Sequence, residues 1–169
     1  MEVNKEVASD NFARMRSKAA TQRILSFMRK KEDNLPALDD ISNILRIEGE
    51  NYAGCRTIPV DRIIGSEGRS RDFNRSFLPR REFLRHRWVN VDAAFYDGKI
   101  LPPIKVVELG GTYFVRDGNH RVSVAKTHGV AYIDAEITQL NTKVVFDPRM
   151  SITELRAQCD YAEESDGAA

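Results

Sequence analysis

Apolar positions in the first third of the chain recur with the period of a helix. Phe12, Met15, Ala19, Ala20, Ile24, Phe27 and Met28 fall three and four residues apart. They share one face and predict an amphipathic helix over 11–31, with Asp10 as its cap. A shorter helix is expected over about 38–46, carried by Leu38, Ile41, Ile44 and Leu45. The segment 47-IEGENYAGC-55 reads as a linker. At 56-RTIPVDRI-63 the period drops to two and predicts a strand, and residues 89–97 read as a short helix ended by Gly98. The runs IKVVEL and TYFV flank Gly110-Gly111, a pair suited to a turn that needs positive φ, and predict a hairpin. The second run turns through Asp117-Gly118 into a helix from about Asn119, with Val122 and Ala125 toward the core and Gly129 at its end. The segment 131-AYIDAEI-137 closes the pattern as a strand.

That order predicts a compact α+β (α/β) core, a mixed sheet with flanking helices, preceded by a helical extension. The expected division is an N-terminal helical extension over 1–54, the core domain over 55–142 and a C-terminal segment over 143–169. With 169 residues, 41% hydrophobic and 30% charged, one folded domain with a small appendage is expected rather than a disordered chain. No apolar run approaches the roughly 18 residues that cross a bilayer, and the first residues lack the apolar block of a signal peptide. A cytoplasmic location without membrane contact is the expectation. Cys55 and Cys159 stand far apart and His86, His120 and His128 are scattered, so neither a disulfide framework nor a metal site is expected.

A net charge of +1 gives no global argument for nucleic acid, but the charge is unevenly placed. Between Phe12 and Lys31 stand Arg14, Arg16, Lys18, Arg23, Arg29, Lys30 and Lys31 without an acid. This basic helix is open to three readings: packing on the core, which is the simplest, pairing into a homodimer, or contact with an acidic partner. The last ten residues hold Asp160, Glu163, Glu164 and Asp166 without a base, and a disordered acidic tail is expected there. The first two helices do not suit a helix-turn-helix, because Asp39-Asp40 would meet phosphate with the wrong sign. Between 64 and 88 the arginines Arg69, Arg71, Arg75, Arg80, Arg81, Arg85 and Arg87 cluster. Arg69 and Arg71 are candidates for bidentate phosphate binding, against an exposed basic surface partly neutralised by Asp72 and Glu82. The interleaved Phe73, Phe77, Leu78, Phe83 and Trp88 suit a core better than base stacking.

The stretch 117-DGNHR-121 raises the chemical question. A strand that turns directly into a helix leaves that helix's first N–H groups free, and these with the helix dipole make an anion site that suits phosphate. Gly118 lets a ligand approach the backbone, and His120 and Arg121 add a donor and a cation. The alternative is a plain turn in which Asp117 or Asn119 caps the helix and His120 and Arg121 point into solvent. A Walker loop does not occur.

The strand IPVDRI followed by LPPIKVVELGGTYFVRDGNHRVSVAKTHGVAYIDAEI resembles the ParB/sulfiredoxin superfamily over roughly 56–140. The resemblance implies a ParB/sulfiredoxin-like fold that holds the phosphates of ATP, ADP or CTP, with Mg²⁺, at Gly118, Asn119, His120 and Arg121. Departures narrow it. Sulfiredoxins place a cysteine before the His-Arg pair, where this chain has Asn119, so sulfinic acid reduction is not expected. Partition proteins carry Glu-Arg-Arg after the glycine and continue into a DNA-binding domain, whereas about thirty residues remain here after Gln139. A DNA clamp is therefore not expected from this chain alone. The free-serine-kinase branch shares the Asp-Gly-x-His-Arg signature and places a catalytic glutamate shortly after the first strand, the position of Glu67. On that resemblance Glu67 would be the base toward a small-molecule acceptor alcohol, and Asp117 would position metal or substrate. The expected function is nucleotide binding with phosphotransfer to a small molecule. The alternatives are a non-catalytic nucleotide-sensing switch and a DNA-associated regulator.

Overall fold

Gly110 and Gly111 take φ of 58° and 74°, and the hairpin they close sets the middle of the molecule. Its strands are β3 (Ile104–Leu109) and β4 (Thr112–Asp117), numbered after β1 (Ile47–Pro59) and β2 (Ile63–Ser66) and before β5 (Tyr132–Thr142). The computed structural model describes residues 2–166, and among these the strands form a single five-stranded sheet in the order β1-β5-β3-β4-β2. β1 runs antiparallel to β5 and β3 antiparallel to β4, while β3 is parallel to β5 and β2 parallel to β4. The fold is mixed α/β, with α1 (Glu2–Met28), α2 (Leu38–Leu45), α3 (Arg85–Tyr96), α4 (Asn119–Thr127) and α5 (Ile152–Asp166) flanking the sheet.

The central strands are apolar on both faces because both are covered. Ile104, Val106 and Val115 face one core with Phe12 of α1, Trp88 of α3 and Val122 of α4. Val107, Leu109 and Phe114 face the other with Ile41 and Leu45 of α2 and Leu155 of α5. Phe12 meets Trp88 edge to face at 5.7 Å, and the buried Trp88 Nε1 donates to Ser123 Oγ at 2.8 Å. These contacts fix α3 and α4 side by side. Among the described residues no helix is long and apolar enough to cross a membrane.

Several expectations change. α1 begins at Glu2, so Asp10 lies inside it and caps nothing. Its expected apolar face is buried only in part: Phe12 and Ala19 are covered, while Ile24, Phe27 and Met28 are exposed. The supposed linker over 47–55 is the first two-thirds of β1, so the boundary expected at 54/55 falls within a strand. Pairing with β5 makes that strand despite its polar sequence. The strand expected over 56–63 is split by a helical turn at Val60–Arg62 into the end of β1 and the start of β2. α3 starts earlier than expected, at Arg85. The acidic segment expected to be disordered is helical through Asp166; the last three residues lie outside those described.

Candidate functional site

Gly118 takes φ 104° between β4 and α4. A Cβ there would lie 2.6 Å from Ile104 Cγ2, so both the backbone conformation and the space demand glycine. The α4 ladder begins with Val122 N–H donating to Gly118 O at 3.0 Å, which leaves the N–H groups of Asn119, His120 and Arg121 without intrahelical acceptors. No side chain caps this end. The capping alternative for Asp117 and Asn119 is thereby replaced: Asp117 Oδ2 accepts from Arg121 Nη2 at 2.8 Å, and Asn119 is buried with Oδ1 unpartnered.

His120 and Arg121 turn inward rather than to solvent. The His120 ring stands edge-on to Phe73 at 5.5 Å, and its Nδ1 is buried without a partner. Burial, with the nearby cations Arg87 and Arg69, pushes its pKa down to about 4, against a weaker upward pull from Asp72. The ring is therefore neutral at neutral pH. Arg121 donates to the carbonyls of Pro102 and Pro103 as well as to Asp117, and so ties the approach to β3 onto α4. The cation at this helix N-terminus is balanced by Asp117.

A cleft of about 590 Å³ opens at this end of α4. Asp117, Gly118, Asn119, His120 and Arg121 line it with Arg69, all anticipated from the sequence. The opposite wall was not anticipated: His86, Arg87, Asn90 and Val91 come from one face of α3. Their i, i+1, i+4, i+5 spacing was the available signal, obscured because α3 was placed later in the chain. Arg116 also lines the cleft. It holds Glu67 through Nε to Oε2 at 2.9 Å and Nη2 to Oε1 at 3.0 Å, and reaches Glu50 of β1 at 3.3 Å. Glu67 thus stands beside the cleft but does not line it, with both oxygens already accepting. Arg71, expected beside Arg69 at the same phosphate site, lines a different concavity, because the chain turns between Arg69 and Asp72. No group of three or more His, Cys, Asp and Glu suited to a metal ion occurs among the described residues.

No protein-family model matches the chain, and no curated protein matches it. Among solved structures, the crystal structure of sulfiredoxin from Arabidopsis thaliana is similar over 49% of this chain and 82% of that one, at 21% identity and a TM-score of 0.32. A likeness of that extent carries no argument about what this chain binds.

Proposed function

We propose that the cleft at the N-terminus of α4 binds the phosphates of a nucleotide. The carrying observation is the uncapped N-terminus of α4, whose first N–H groups have no intrahelical acceptor, in a cleft that also holds the cations Arg69 and Arg87. The Asn119 carboxamide, turned so that Nδ2 takes the place of Oδ1, and a neutral His120 imidazole protonated on Nδ1 would add two further donors beside it. Arg87 has no ion pair or hydrogen bond within the described residues and stands across the cleft, available as a planar fork. A volume of about 590 Å³ is of the size that holds a small organic ligand. ATP, ADP and CTP all fit this description, and Mg²⁺ would arrive with the phosphates and its own water shell.

Between phosphotransfer and sensing, the Arg116 clamp on Glu67 favours sensing. Glu67 stands outside the cleft lining with both carboxylate oxygens bonded to Arg116, so it does not face a substrate alcohol bound there, whereas Asp117 bonds Arg121 through Oδ2 alone. The test is calorimetric titration with ATP, ADP, CTP and GTP, with and without Mg²⁺, on the wild type and on Arg87→Ala. One nucleotide should bind, and removing a charge-assisted fork should weaken it about ten- to a hundredfold. No binding by any nucleotide, or equal binding by the variant, overturns the proposal. Phosphoryl transfer that stops in Glu67→Gln would restore the catalytic reading.

A further inference from the structure

The arginine-rich segment sends six of its seven arginines to two places. Arg69 and Arg87 go to the α4 cleft, whereas Arg71, Arg75, Arg80 and Arg81 line a second concavity of about 1880 Å³. The two share no lining residue. The larger one lies toward the other end of α4, where Lys126 Nζ is held by Ile63 O at 3.0 Å. Its walls are the second half of α1, the 31–37 connection, the start of α2, the 70–81 segment and the strip leading into α5. Small-molecule pockets occupy roughly 300–1,000 Å³, so this volume suits a polymer segment.

Its side chains fall into two sets. Arg80 is engaged by Asp33 at 2.9 Å, but Arg23, Lys31, Arg71, Arg75 and Arg81 are exposed and make no side-chain hydrogen bond or ion pair within the described residues. Beside these cations stand apolar side chains open to solvent: Ile24 at 62%, Phe27 at 86%, Met150 at 37% and Ile152 at 45% exposure. Two of these four belong to the half of the α1 apolar face that leaves the core.

We propose that this groove docks an acidic amphipathic helix of a partner protein. The apolar stripe of such a helix, at i, i+3, i+4 and i+7, would cover Ile24, Phe27, Met150 and Ile152, and its carboxylates would meet the unpaired arginines. Nucleic acid fits less well. A phosphate backbone would leave Ile24, Phe27, Met150 and Ile152 uncovered, and nucleic-acid surfaces are more uniformly basic than this groove, whose walls also hold Glu32, Asp33, Asp40, Asp61 and Glu154.

The experiment is selection from a random sixteen-residue peptide library displayed on phage against the full chain, with Arg23→Glu/Arg75→Glu as counter-selection target. Recovered sequences should carry Asp and Glu with apolar residues at helical spacing. Their synthetic peptides should bind about tenfold or more weakly to that double variant and to Phe27→Ser. Both variants alter exposed side chains outside the α4 cleft, and their unchanged thermal unfolding is the control for folding. No enrichment, enrichment of sequences lacking that pattern, or tight binding of a single-stranded oligonucleotide that the double variant loses would each overturn the proposal.

Discussion

His120 keeps a neutral ring in a place that punishes its charge. Its folded-state pKa of about 4 lies below the ordinary 6.5, so the charged form is disfavoured in the native protein. Its contribution to stability is therefore fully present above pH 6.5 and is lost as pH falls through that value toward 4. Urea unfolding at pH 7.5, 6 and 4.5 should show a steeper loss in wild type than in His120→Asn. Sulfate, whose charge does not change across that range, should reduce the loss by offsetting Arg69 and Arg87. Equal slopes in the two proteins would mean that the ring is not buried among these cations. At this scale Gly118 was legible in the sequence, because an Asp-Gly step between a strand and a helix has few other uses. Arg87 and Asn90 were not, since nothing local says that α3 turns that face toward α4.

Among the elements, α1 is held by a buried clasp rather than by a continuous apolar stripe. Asp92 of α3 is fully buried, bonded through Oδ1 to His128 Nε2 at 2.6 Å and through Oδ2 to Asn11 Nδ2 at 3.0 Å. The His128 ring also stacks on Phe95 with centroids 4.2 Å apart. This joins α1, α3 and the end of α4. Asp92→Ala should destabilise the chain by about 1–3 kcal/mol for each partner left unpaired. The measurement is urea denaturation, with faster amide exchange in α1 as the local signature; unchanged exchange there would show that α1 does not depend on the clasp. β1 teaches the complementary point. It is an edge strand, largely exposed, and its sequence carries little apolar alternation because backbone bonds to β5 hold it in place.

For the whole molecule, the α4 cleft joins elements from distant parts of the sequence: the loop after β2, α3, the end of β4 and α4. A ligand there binds the folded state alone. At a hundred times its Kd it should add about 2.7 kcal/mol, which for a chain of this size raises Tm by roughly 5–10 °C. Thermal unfolding with the nucleotide selected by calorimetry checks this, and Arg87→Ala should shrink the shift. A bound nucleotide that left Tm unmoved would have to bind the unfolded chain equally well.

The sequence by itself determined the hairpin and the turn into α4, because glycine conformations and β-branched runs act over a few residues. The tertiary structure alone decided that β1 is a strand and that only half of the α1 apolar face is buried. It also decided that Arg69 and Arg71 part company, that Glu67 is clamped by Arg116, and that α3 supplies the second wall of the cleft. Each of these depends on partners tens of residues away, and a local pattern carries no record of which partner will be there.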